Sequence, residues 1–232
     1  MEQPNYARHA LAEGIQRLEH DLLEMGARAD TMVGDAVEAL ARLDVSSVMR
    51  VVAADDEIDE LDVAIEQRCI RFLALQQPMA GDLREIGTVM KVITDIERIA
   101  DLAVDIAKIA MKVDKEYGHT DFIDLRNMAG AARKMFEHSL QAFVKRDLAL
   151  VESICKQDDE VDQLYRDLRG QIHDHMRRQP ENVVSASWML LAIHHVERIA
   201  DHAVNIAERV SFMVTGRLDQ IASSHRSELP RA

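Results

Sequence analysis

Residues 96–107 read IERIADLAVDIA and residues 196–207 read VERIADHAVNIA, nine identities in twelve at an offset of 100. The likeness extends outward on the N-terminal side. Asp55-Asp56-Glu57-Ile58-Asp59 returns as Asp158-Asp159-Glu160-Val161-Asp162 at an offset of 103, and Gln77-Pro78 returns as Gln179-Pro180 at an offset of 102. Around these anchors the apolar residues keep helical time. Val89, Val92, Ile96, Ile99, Ala103, Ile106 and Ala110 alternate in steps of three and four, the seam of a long helix packed side by side with another. Leu11, Ile15, Leu18, Leu22, Met25, Ala29, Met32 and Ala36 do the same near the N-terminus. Val48, Val51, Ile58, Ile65, Cys69 and Phe72 do so from about Val45 to Leu75. Pro78 ends that second helix, because proline removes a donor and clashes with the preceding turn. A third is expected over Asp82–Lys115, broken at Gly118-His119-Thr120. Three helices repeated at a spacing of roughly 100 residues make an all-α chain of six long helices in two tandem three-helix bundles, not a solenoid of short units. The expected domains are 1–117 and 118–215, with a frayed tail over 216–232.

Composition agrees and excludes several functions. The 232 residues carry 41 acids and 28 bases, a net charge of −13 that repels a phosphate backbone and argues against nucleic acid as a ligand. Apolar residues make up 47% and charged residues 30%, a globular balance, and the scarcity of aromatics, glycine and proline favours helices. Two cysteines, Cys69 and Cys155, lie 86 positions apart with no CxxC and read as small apolar residues in helix cores. Glu2, Arg8 and Glu13 interrupt the N-terminal stretch where a signal peptide needs an apolar run. The longest uncharged stretch, 182–196, is 15 residues, too short to span a bilayer, which needs about 20. A cytoplasmic protein is expected.

The nine glycines are isolated, so no Gly-rich loop cradles a nucleotide, and there is no HExxH. The one ExxH element, Glu116 to His119, is interrupted by Gly118 at the linker, which argues against a ferritin-like di-iron bundle. Ser46, Ser47, Ser185 and Ser187 sit near expected helix starts and read as caps. What remains is acid spacing. Glu97, Asp101 and Asp105 follow at i, i+4 and i+8, one stripe of carboxylates that a helical wheel places opposite the apolar seam. The second copy gives Glu197, Asp201 and then Asn205, preceded by His194. Asp55 with Asp59, and Asp158 with Asp162, form (E/D)xxxD pairs on the second helix of each repeat. Like charges four apart cost a helix a few tenths of a kcal/mol unless something neutralises them. Carboxylate oxygens suit Mg²⁺ or Mn²⁺, and an added histidine shifts the preference toward iron or zinc. A solvated outer face is the alternative, since Arg98 can pair with Asp101 and Lys108 with Asp105. Repeat two has Glu208 where repeat one has Lys108, leaving Arg198 as the nearest base to its stripe.

The two ERIAD elements at 97–101 and 197–201, the helix-two acids and the stretch CIRFLALQQPMAGDLR from Cys69 to Arg84 closely resemble the PhoU family of phosphate-transport regulators. The resemblance covers about His9 to Met213. It implies a cytoplasmic, dimeric negative regulator of the phosphate-starvation response, with no catalytic centre. Such a protein couples the ATPase subunit of the high-affinity phosphate ABC transporter to the phosphate-sensing histidine kinase, and meets membranes only through those partners. Some members carry metal clusters on these motifs. Residue by residue, that role falls on Asp55, Asp59, Glu97 and Asp101, extended by Asp105, and on Asp158, Asp162, Glu197 and Asp201. The metal's identity, divalent or iron/zinc, stays open, as does a different build for a second cluster at Asn205. The rival reading is a helical metal store or metal-dependent enzyme using His194, Glu197 and Asp201. A third reading has phosphate bound directly, at an Arg patch such as Arg177-Arg178.

Overall fold

The computed structural model describes residues 3–76, 78–116 and 123–217, with side chains from residue 12 to 113 (residue 77 excepted) and from 123 to 217; the expected tail lies almost wholly outside them. Among the described residues six α-helices run as α1 (Gln3–Arg42), α2 (Val45–Gln76), α3 (Ala80–Glu116), α4 (Arg126–Lys145), α5 (Leu148–Arg178) and α6 (Val183–Thr215). A 3₁₀ turn, Pro180–Asn182, precedes α6. The seams read from the sequence are the core: Leu18, Leu22, Met25, Ala29 and Ala36 of α1 and Val48, Ile58, Ile65 and Cys69 of α2 are buried. Each fully buried Leu or Ile contributes about 1.5–3 kcal/mol relative to an exposed one.

The first two helices of each repeat are joined by the same corner. Leu43 (φ 52°) and Arg146 (φ 54°) stand 103 positions apart and are both left-handed. In each corner the following aspartate N–H donates back five residues, Asp44 to the Ala39 carbonyl at 2.9 Å and Asp147 to that of Ala142 at 3.1 Å. This six-to-one closure satisfies carbonyls that a helix end otherwise leaves open. The same aspartates cap the next helix. Asp44 Oδ1 accepts from the backbone N–H of Ser46 at 3.0 Å and Ser47 at 3.3 Å, and Asp147 Oδ1 from those of Ala149 at 2.9 Å and Leu150 at 3.3 Å. Ser46 and Ser47 are thus donors to the cap rather than caps themselves. Ser187 likewise spends its hydroxyl on the Val184 carbonyl.

α3 packs against α1, α2 and α6, and α6 packs against α3, α4 and α5. The two bundles therefore lie side by side along α3 and α6 with one continuous core drawn from all six helices. Ala100, Ala103, Ala107, Ala200, Ala203 and Ala207 are all buried within the chain, where small side chains let helices approach closely. Polar ties reinforce the seam between repeats. Arg133 on α4 holds Asp30 on α1 through two parallel bonds of 2.8 and 2.7 Å, and Arg146 reaches Glu85 on α3 at 2.5 Å.

Candidate functional site

The stripe of Glu97, Asp101 and Asp105 does not lie opposite the apolar face of α3. With three neighbouring helices, α3 has little outer face, and Glu97 and Asp101 fall at the flank of the seam, in the groove toward α2, while Asp105 is exposed. There Glu97 keeps 23% of its side-chain surface and Asp101 45%. Across the groove α2 contributes Asp55, Asp59 and Asp62. Burial first, then the nearby charges of Asp101 and Asp59, push the Asp55 carboxyl above its ordinary value, against the pull of Lys108. Glu97 is raised in the same way, by burial and then by Asp101, with Asp62 and Asp59 adding and Arg98 opposing. Burial, Glu66 and Asp59 also raise Asp62. The structure thus brings Asp55, Asp59, Glu97 and Asp101 together as the spacing suggests. It adds Asp62, whose buried Oδ1 has no hydrogen-bond partner. The signal for Asp62 was its place seven residues after Asp55.

Arg98 does pair with Asp101 at 2.8 Å and lies 3.3 Å from Glu97. Lys108 forms no ion pair with Asp105. Asp105 instead borders a cleft of about 300 Å³ together with Asp55, Asp101, Lys108, Arg98 and Arg198. Arg198, the base nearest the second stripe, thus lines a cleft shared with acids of the first.

In repeat two the acids are arranged differently. Asp158 is buried to 2% exposure and partnered, whereas its counterpart Asp55 is only half-buried. His194 Nδ1 lies 2.9 Å from Glu197 Oε2, and the His194 ring stands 6.4 Å from that of Tyr165 on α5, itself covered by Arg169 at 5.5 Å. Asp162 and Asp201 are half-buried on the facing helices. Asn205 turns away from this stripe and donates to Asp95 of α3 at 3.4 Å, beside His202, whose Nδ1 is 2.9 Å from the same Asp95 oxygen. The missing carboxylate at 205 is therefore part of a tie between repeats.

No three His, Cys, Asp or Glu side chains among the described residues converge to hold one metal ion. The donor chemistry of the α2–α3 groove nevertheless suits a hard cation. It offers carboxylates that repel one another and an orphaned, buried Asp62 oxygen, both of which a bound cation relieves.

The same architecture recurs in known proteins. The chain matches the PhoU domain family twice, over residues 22–110 and 125–210, once per repeat. A phosphate-specific transport system accessory protein PhoU homolog of Clostridium acetobutylicum is 35% identical over 204 residues, covering 88% of this chain and 93% of the relative. Its counterpart from Synechocystis is 36% identical over 214 residues, covering 92% and 95%. The crystal structure of PhoU from Pseudomonas aeruginosa superposes with a TM-score of 0.83 at 31% identity, covering 89% of this chain and 99% of that one. The phosphate transport system regulatory protein PhoU from Streptococcus pneumoniae gives 0.83 at 30% identity, covering 90% and 99%. Matched twice by the domain and over most of its length by these relatives, this chain belongs to the PhoU family.

Proposed function

We propose that this protein is a phosphate-transport accessory protein of the cytoplasm that acts as a negative regulator. It restrains uptake and starvation signalling when phosphate is ample, by contacting the ATPase subunit of the phosphate ABC transporter and the phosphate-sensing histidine kinase. It works as an adaptor: binding and release suffice. The observation that carries this reading is the match of both repeats to relatives named as phosphate-specific transport system accessory proteins. No helix among the described residues is long and apolar enough to cross a membrane, which fits docking on membrane complexes through partners. The family resemblance supports a homodimer.

Within this reading, the groove acids Asp55, Asp59, Glu97 and Asp101, with Asp62, hold a divalent or iron/zinc cation; Asp158, Asp162, Glu197 and Asp201, with His194 alongside, do so in repeat two. The metal supplies positive charge that neutralises an acidic contact face. The chain's own part is to present carboxylate oxygens from two helices and to hold them by packing against the core. The orphaned Asp62 oxygen favours this occupant over an empty, solvated groove.

Deleting the gene and following phosphate uptake and a starvation reporter in phosphate-rich medium tests the regulator. Uptake and reporter output rise, and the wild-type gene restores repression. If both stay repressed in the deletion strain, the regulator reading fails and the metal-protein alternative, storage or metal-dependent chemistry, takes its place.

A further inference from the structure

The outward face of α2 carries a second seam. Met49, Ala53, Asp56, Glu60, Val63, Gln67, Ile70 and Ala74 alternate in steps of four and three, the spacing of a helix meant to lie beside another, and all eight are exposed. Met49 is 60% exposed, Val63 51% and Ile70 53%. The chain holds its own control for this face. At the offset of 103 that superposes the buried residues of α2 and α5, the same positions are Glu152, Lys156, Asp159, Gln163, Arg166, Gly170, His173 and Arg177, also all exposed. The inner positions stay apolar in both copies: Val48 and Val151, Val51 and Ile154, Ile58 and Val161, Ile65 and Leu168, Cys69 and Ile172 are buried. The fold thus has no need of apolar side chains on this outer face, and only repeat one has them.

We infer that the outer face of α2 is a docking surface for an amphipathic, basic helix of another protein. The seam's 49–74 span, 25 rises of about 1.5 Å, is roughly 38 Å long and takes about four heptads of a partner. Its charge selects the occupant. Of the seven acids between Asp55 and Gln67, a stretch with no base, Asp55, Asp59 and Asp62 belong to the groove and Glu57 pairs with Arg28, whereas Asp56 and Glu60 sit in the seam itself without an ion pair to any described residue. Lysine or arginine opposite them completes the pairing, with apolar residues against Met49, Val63 and Ile70. A second copy of this chain would set acid against acid along the same stretch, so self-association is disfavoured here. The site does not depend on the function proposed above, and any protein offering such a helix fits it.

The test uses the full chain and two synthetic four-heptad peptides with leucine at both seam positions, one with lysine elsewhere and one with glutamate elsewhere. The lysine peptide binds the wild type and protects amides or shifts resonances along 49–74 of α2, not along α5. Replacing the two apolar residues by those of repeat two, Val63→Arg/Ile70→His, weakens binding by about tenfold or more, and so does the uncharged Val63→Ser/Ile70→Ser. The exchange sits on exposed positions, and an unchanged melting curve confirms the fold. The reverse graft, Arg166→Val/His173→Ile, creates a second binding face on α5. Equal binding by Val63→Ser/Ile70→Ser, equal binding of the glutamate peptide, or protection on α5 of the wild type overturns the inference. So does sedimentation showing a dimer that Val63→Arg/Ile70→His dissociates, which makes the occupant a second copy.

Discussion

His202 on α6 holds its Nδ1 2.9 Å from Asp95 Oδ1 on α3, and both side chains keep 16% of their surface. The pair, with Asn205, ties the two repeats at the helix crossing. In repeat one the residue matching His202 is Leu102, so His202→Leu removes the tie while giving α6 the side chain its own duplicate uses. It leaves Asp95 short of a partner and costs about 1–3 kcal/mol in chemical denaturation. An unchanged midpoint denies the pair a structural role.

The groove acids are held against their own repulsion. Because the Asp55 and Glu97 carboxyls are raised in the folded state, the folded protein binds more protons than the unfolded one. Their contribution to stability is therefore lost as pH climbs from the ordinary carboxylate value through the raised one. Asp55→Asn or Glu97→Gln, in metal-free protein at neutral pH, gains about 0.2–0.5 kcal/mol per like-charge pair removed. The gain shrinks in melts recorded below the ordinary carboxylate value, where wild type is protonated as well. A neutral-pH loss in both variants contradicts the repulsion argument.

A metal titration discriminates further. If the groove holds a divalent ion, Mn²⁺ or Zn²⁺ raises the melting temperature of wild type, and Glu97→Gln/Asp101→Asn abolishes that rise. Equal metal content in variant and wild type, measured by elemental analysis after dialysis, removes these residues from the site.

α1 and α2 meet where Gly14 faces the Phe72 ring. A Cβ at position 14 would lie 1.6 Å from Phe72 Cζ, so Gly14→Ala must displace the ring. The substitution destabilises by about 1–3 kcal/mol despite its better helix propensity. A stabilised Gly14→Ala variant would mean that the ring turns aside at little cost.

Burial pushes the Cys69 and Cys155 thiols up to about 11, with Glu66 adding at the first and Glu208 at the second. Neither is a thiolate at neutral pH, so both react with a disulfide reagent far more slowly than a free thiol, Cys69 only as the protein unfolds. A fast phase in native protein would contradict this assignment.

Much of the fold was readable from period alone. Helix ends fell within two residues of Val45–Leu75 and Asp82–Lys115, because proline and the apolar seams mark them locally. The site was less readable. A helical wheel of α3 drawn in isolation carries no trace of α2 and α6, so it placed Glu97 and Asp101 opposite the seam rather than beside it. For the same reason it paired Lys108 with Asp105 and left Arg198 in its own repeat. Asn205, lacking the charge of Asp105, pointed only to a differently built second cluster, and only the neighbouring helix reveals its partner, Asp95. Asp62 was in plain view but belonged to no repeated pair.

The crossing of α3 and α6 has one more consequence. Asp95 meets residues 202 and 205, while the charge of Asp105 is felt by His195, so the pairings run in opposite directions along the two helices and exchange under a half-turn. The seam is an isologous interface enclosed in one polypeptide. A half-length chain bearing one such three-helix unit would carry a surface that fits itself. Within one polypeptide the two copies need not stay alike, and here one outer face is apolar while the other is polar.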